Sequence, residues 1–383
     1  MLRVVWASFR GRWTDNPRAL HEAMRHHGGE VEHVWLAEPG AVFPPGLTTV
    51  PFRGTACVEA LESADLVVSN DCLSFDWAKR PDAVYLQTWH GTPLKRMFRD
   101  ALWTPEGQVD RMAADVARWD VLLSPNHAST PVLRSAFGFE GRVAATGYPR
   151  NDVLLAPDRD HRRARVRARL GIRDGVTAVL YTPTWRDDAV FDPDRPNFEL
   201  QLDVEEFAAR LGPDHVLLVR AHSMVSDGLE PAEGMVDVSG HPDVAELYLA
   251  ADVMVTDYSS TMFDFALTGK PMLFFTYDLE DYRDRLRGFY VELADIAPGP
   301  LLSTSTEVVD ALADLDRVTA EHADAYARFR ATYCHLEDGR STDRVLGLLA
   351  DLLSPGLRAL TATTARATRA RAMTIRGDHH AFS

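Results

Sequence analysis

Four polar clusters in this chain combine residue types and spacings that could do chemistry. Gln87-Thr88-Trp89-His90-Gly91-Thr92-Pro93-Leu94-Lys95 follows an apolar run and carries a histidine directly before a glycine. An imidazole titrates near neutrality, so His90 suits proton transfer to or from a hydroxyl; a hydrogen-bonded turn residue is the alternative for a lone histidine. Thr182-Pro183-Thr184-Trp185-Arg186 ends in an arginine that could clamp a phosphate in bidentate fashion or pair with Asp187 or Asp188. Arg220-Ala221-His222 places a cation and an imidazole after Val216-Leu217-Leu218-Val219, with a structural ion pair as the plainer role for Arg220. The fourth, Thr256-Asp257-Tyr258-Ser259-Ser260-Thr261, follows Val253-Met254-Val255 and opens a helical stretch closed by Gly269 and Pro271. Ser259 or Ser260 is a good N-cap there, and hydroxyls with free backbone N–H groups beyond a strand favour a phosphate. An ordinary capped helix satisfies the same pattern.

The elements that must position these clusters alternate. Strands at Leu2–Ala7, 31–37, 65–70, 83–89, 121–124 and 142–147 are interleaved with helices at 17–27, 57–64, 107–119 and 129–137. Pro93 is expected to start a further helix after Gly91. Turn residues interrupt the pattern at Gly147-Tyr148-Pro149-Arg150-Asn151-Asp152, followed by a charged helix at 158–170 whose arginines read as a solvated face. The alternation then restarts through 177–185, 203–211, 215–222, 236–240, 244–251 and the 252–275 stretch, with closing helices near 305–314, 319–333 and 341–353. Strands alternating with helices imply parallel sheets covered on both faces, hence two doubly wound α/β domains facing each other across a cleft. The expected division is 1–152, 153–354, and a tail 355–383. In such sheets ligands bind outside the carboxyl ends of the strands, where all four clusters fall.

Composition narrows the classes. A length of 383 residues suits two domains, and 46% hydrophobic with 25% charged residues is that of a globular protein. A net charge of -15 argues against a nucleic-acid binder. Cys57, Cys72 and Cys334 form neither a zinc pattern nor a disulfide framework, which fits a reducing interior. The first residues turn polar too soon for a signal peptide, and no apolar run reaches the ~20 residues that span a bilayer. A cytoplasmic location is expected. Walker-type, H-E-x-x-H and G-x-S-x-G patterns are absent, as is any compact carboxylate–histidine set for a metal. What remains is histidines, arginines and serines suited to an anionic, phosphate-bearing donor, with no cofactor or metal expected.

In order, QTWHGTPLK, GYPRND, TPTWR, RAH and TDYSSTMFDFALTGKP resemble the CDP-glycerol glycerophosphotransferase family, the wall teichoic acid primases and polymerases and related capsule polymerases. The resemblance covers about residues 65–335. It implies a GT-B fold whose C-terminal domain holds the nucleotide, and transfer of a polyol phosphate from a CDP-activated donor to an acceptor hydroxyl with release of CMP. It implies His90 as catalytic base, with Gly91, Thr92 and Lys95 on the acceptor side, and His222 as a second histidine assisting the leaving phosphate. Ser259 and Ser260, with Thr261, would hold the diphosphate, while Arg186, Arg220 and Asp257 line the donor site. Asp264, between Phe263 and Phe265, reads as structural. The implied acceptor is a lipid-linked or oligomeric polyol phosphate or saccharide. Five arginines and one acid make the tail a disordered end or a segment drawn to the inner face of an anionic membrane. Two other readings stand beside this one: a GT-B glycosyltransferase using a nucleotide sugar, and a non-catalytic nucleotide-binding module of a polymer-export complex.

Overall fold

The computed structural model describes residues 1–26, 31–184, 186, 200–221 and 232–353. His222 and the tail lie outside them. Two all-parallel sheets carry the architecture. The first has strands β1 (Leu2–Ala7), β2 (Val31–Ala37), β3 (Thr48–Pro51), β4 (Leu66–Ser69), β5 (Val84–Gln87), β6 (Val121–Ser124) and β7 (Arg142–Ala145) in the order β3-β2-β1-β4-β5-β6-β7. The second has β8 (Thr177–Thr182), β9 (His215–Val219), β10 (Met235–Asp237), β11 (Val253–Thr256), β12 (Met272–Phe275) and β13 (Leu301–Leu302) in the order β10-β9-β8-β11-β12-β13. The chain reverses direction across each sheet, at β1/β4 and at β8/β11, and these switch points are where a doubly wound sheet opens a crevice for ligand. This is the expected GT-B-like arrangement of two Rossmann-like units.

Continuously apolar strands explain the layering. All four residues of β4, β5, β6, β11 and β12 are buried, as befits strands covered by helices on both faces. The edge strand β3 is largely exposed and was not anticipated, because Thr-Thr-Val-Pro carries little apolar signal.

Several local expectations are corrected. Pro93 starts no helix; Leu94 to Met97 run out to the second domain, where Lys95 bridges Phe289, the Leu94 carbonyl accepts the Tyr290 N–H at 2.9 Å and the Gly288 carbonyl accepts the Arg96 N–H at 3.0 Å. The arginines of helix Arg159–Arg169 are not all a solvated face. Arg163 donates to the carbonyls of Leu249, Ala250 and Ala251 and pairs with Asp252 at 2.6 Å, so it caps the C-terminus of helix Val244–Ala250. Finally, helix Ser341–Leu352 packs on the first domain: Val345, Leu346 and Leu349 share a core with Leu2, Val4, Trp6 and Tyr148.

Candidate active site

His90 sits just beyond the C-terminal end of β5, half-buried, with its ring between Trp89 (centroids 3.9 Å apart) and Phe9 (5.0 Å). Its Nδ1 lies 2.5 Å from the carbonyl oxygen of Asn70 at the end of β4. A carbonyl only accepts, so Nδ1 carries the hydrogen, and in the neutral ring the lone pair is then on Nε2. That is the tautomer a general base requires, and no described residue donates to Nε2. The backbone around it is unusual. Phe9, Arg10, Asp15 and Trp89 have φ of 41°, 61°, 64° and 52°, left-handed values costly for non-glycine residues. Such strain persists only where surrounding bonds impose it: Phe9 N–H donates to Asn70 Oδ1 at 3.0 Å, and the Trp89 carbonyl accepts from Asn16 Nδ2 at 3.0 Å.

Across the cleft, the turn after β11 faces this loop. A β-carbon on Gly91 would lie 2.9 Å from Ser260 Oγ and 3.3 Å from Ser260 Cβ, so the two domains touch at this point. The helix expected to run to Gly269 is a single α-turn, Thr261–Phe265, continued by a 3-10 turn, Ala266–Thr268, and closed by Gly269 with φ 73°. Ser260 occupies the N-cap position without a side-chain cap, and the Ser259 hydroxyl only weakly accepts the Thr261 N–H at 3.4 Å. The Ser260 hydroxyl thus stays uncommitted among the described residues. Thr261 is different: its hydroxyl turns inward to Thr182 Oγ1 at 3.2 Å and to the Met254 sulfur.

Arg186 and Asp257 form a buried knot and offer little to a phosphate. Arg186 Nε and Nη2 donate to both oxygens of Asp278 at 2.7 and 2.9 Å, and Nη1 donates to Thr184 O at 2.6 Å and Asp257 at 3.1 Å. Tyr258, Tyr277 and Tyr282 surround the guanidinium within 5.2 Å. Burial opposes its charge, but Asp257 and Asp278 outweigh that and raise its pKa. Asp257 also accepts the backbone N–H groups of Thr184 and Tyr258, so it pins the β8 loop to the β11 turn. Both residues therefore shape the crevice at the switch point, and the bidentate fork expected of Arg186 for a phosphate is here engaged by Asp278.

Arg220 behaves otherwise. It is half-buried, donates to the carbonyls of Val238 (3.3 Å) and His241 (2.7 Å), and forms no direct ion pair among the described residues. Burial holds its pKa below the usual value against the opposing pull of Tyr248 and Asp243, and Arg12 of the first domain adds a little to the lowering. Of the residues expected on the acceptor side, Gly91 and Thr92 are buried, and Lys95 lies in the segment bridged to Phe289.

Sequence reasoning passed over the residues that join the two halves. Arg150, from GYPRND, donates to Asp15 (2.6 Å) and the His90 carbonyl (2.7 Å) on one side and to Asp264 (2.6 Å) on the other. Asn151 adds a bond to Asp264 at 2.9 Å and one to Glu337 at 3.2 Å. The signal available was an arginine directly after a proline in a motif otherwise read as a turn. Asp264 thus has the structural role expected of it, although its partners lie outside its own helix.

A family model described as CDP-Glycerol:Poly(glycerophosphate) glycerophosphotransferase matches residues 2–351. The chain belongs to this family. It is 35% identical over 357 residues to a Bacillus subtilis teichoic acid poly(glycerol phosphate) polymerase, covering 90% of this chain and 48% of that protein. A Staphylococcus aureus teichoic acid glycerol-phosphate transferase is 35% identical over 356 residues, covering 89% of this chain and 91% of the other. The chain thus spans about half of one relative and nearly all of the other. Among solved structures, the wall teichoic acid polymerase TagF superposes with a TM-score of 0.84 at 32% identity, covering 91% of this chain and 89% of that one. The family match extends to the first strand, well before residue 65, where the motif resemblance began. Family membership makes the chain a glycerophosphotransferase-type enzyme.

Proposed function

We propose that this protein transfers glycerol phosphate from CDP-glycerol to the hydroxyl of a lipid-linked or oligomeric polyol-phosphate acceptor, releasing CMP. The observation that carries the reading is the His90 imidazole, fixed by Asn70 in the base-competent tautomer, on a loop whose next residue touches Ser260 across the cleft. Nε2 takes the proton of the acceptor hydroxyl, and the oxygen attacks the phosphorus bearing the glycerol. The bond from that phosphorus to the bridging oxygen breaks, and CMP leaves with the electron pair. The Ser259 and Ser260 hydroxyls and Arg220 receive the diphosphate and the charge developing on CMP. His222, outside the described residues, would assist that departure. The names of the relatives favour glycerol as the polyol, and a TagF structure soaked with CDPG favours the donor class.

The acceptor's lipid end suggests a peripheral position on the inner face of the membrane. No described helix is long and apolar enough to cross one. Leu102 and Trp103 are 51% and 66% exposed, and Leu102 lies with Arg96 around Gly288, an apolar and cationic combination that suits an anionic lipid surface.

Mass spectrometry of products from CDP-glycerol, CDP-ribitol and a UDP-sugar, each with a short glycerol-phosphate acceptor, tests the reading. CMP release with acceptor growth by glycerol-phosphate units is expected. Sugar transfer would replace the proposal with a glycosyltransferase, and tight CMP binding without turnover would make the protein a nucleotide-binding module.

A further inference from the structure

We infer that Arg150 is a positioning residue for the reaction: it locks the His90 loop to the donor-side helix, so that the base is aligned only while the two domains are bridged. The inference rests on the reading of His90 as base.

Arg150 opens the turn Pro149–Leu155 that leads from the first sheet to the second, and only 11% of its side chain is exposed. Nη1 holds the His90 carbonyl at 2.7 Å together with Asp15 at 2.6 Å; Nη2 holds Asp264 of the donor-side helix at 2.6 Å. Its backbone N–H donates to Asn16 Oδ1 at 3.1 Å, and Asn16 Nδ2 in turn holds the Trp89 carbonyl at 3.0 Å. One residue therefore grips two consecutive carbonyls of the base loop, one directly and one through Asn16. The loop needs that grip, because Trp89 is left-handed at φ 52° and would relax if released. Burial works against the Arg150 charge, but Asp15 and Asp264 outweigh it and keep the guanidinium ionised.

A buried ion pair is weak evidence for net stability. What this one supplies is geometry: a planar fork meets three acceptors from both domains at once. A lysine keeps the charge but concentrates it at one atom, and cannot span the same three. Arg150 does not touch the serine hydroxyls or Arg220, so its loss should leave donor affinity alone and misplace the base.

The test is a double-mutant cycle between Arg150→Lys and His90→Gln, read by kcat, donor affinity and thermal melting. Arg150→Lys should lower kcat by about 10- to 100-fold, the scale of a misplaced catalytic group. Donor affinity should stay within about threefold, the pattern of an interaction that matters only at the transition state. The double variant should be no slower than His90→Gln alone, since a misaligned base that is already absent costs nothing more. Additive losses, or a wild-type kcat per folded molecule in Arg150→Lys, would overturn the inference. Asp264→Asn provides a second route if Arg150→Lys does not fold, because it weakens the donor-side arm and keeps the side chain's shape; it should show the same kcat loss in smaller degree, again absent in the His90→Gln background. If His90→Gln itself turns over normally, the base assignment is what fails, a result distinct from a normal Arg150→Lys.

Discussion

Gly91 and Ser260 meet across the interdomain cleft, with no room between them for a methyl group. A β-carbon at position 91 would fall 2.9 Å from Ser260 Oγ and 3.3 Å from its Cβ. The residue after the proposed base thus lies against a hydroxyl proposed for the donor, and on that reading the contact sets how close acceptor and diphosphate come. Gly91→Ala should force Ser260 aside and weaken CDP-glycerol binding, with the fold intact by circular dichroism. An unchanged donor affinity and turnover would show that the contact is slack in solution.

Ser259 and Ser260 are the next test. Their hydroxyls have at most a weak internal bond, so they are available to the diphosphate. Replacing both with alanine removes bonds to a charged group, each of about 1.5–3 kcal/mol. Calorimetry should show CDP-glycerol losing more affinity than CMP, which has one phosphate fewer. Equal losses, or none, would move the diphosphate elsewhere.

For His90→Gln, shape and one hydrogen bond are retained but proton acceptance at neutral pH is lost. Turnover should fall by about 10²–10⁴-fold, the usual cost of removing a general base, with little change in donor affinity. Loss of affinity at an undiminished saturated rate would make His90 a ligand and leave the base unassigned.

Arg186 should act on stability before chemistry. Arg186→Met strands Asp257 and Asp278, both paired to it at 3.1 Å or less. Breaking a buried pair from one side costs about 3–5 kcal/mol, so the melting temperature should drop by several degrees. An unchanged melting curve with lost donor binding would restore the phosphate-clamp role expected from the sequence.

Glu337 predicts a pH dependence. Burial pushes its carboxyl up to about 7, with Asp264 and Asp152 adding to the shift against the Tyr148 N–H and the Asn151 amide. The folded protein therefore holds this proton more tightly than the unfolded chain, whose glutamate titrates near 4.3. Its contribution to stability is full below about pH 4.3, declines as pH rises towards 7, and stays lost above that. Glu337→Gln, which can still accept from Tyr148 and Asn151, should flatten that slope and be relatively more stable than wild type at pH 8 than at pH 5. Parallel curves for the two proteins, from urea unfolding across that range, would show that Glu337 ionises normally.

The sequence by itself determined the two parallel sheets, because strands such as Leu66–Ser69 and Val253–Thr256 are apolar throughout and alternate with helices in a local, readable pattern. It also determined that polar clusters lie beyond strand ends, and so singled out His90, Arg220 and Ser259-Ser260. The short edge strand Thr48–Pro51 escaped it for want of an apolar pattern, and Pro93 misled it because proline suits a helix start and an extended bridge alike. Partners were decided only by the tertiary structure. Arg186 and Arg220 each follow a buried strand, yet one is consumed by Asp257 and Asp278, far along the chain, while the other donates to the carbonyls of Val238 and His241 and forms no direct ion pair among the described residues. Nothing local in either segment encodes that difference. The same holds for Arg150, whose acceptors at positions 15, 90 and 264 are brought together only when both domains have closed on the turn between them. Hydrophobic periodicity is a property of neighbours in sequence; the pairing of charges is a property of neighbours in space.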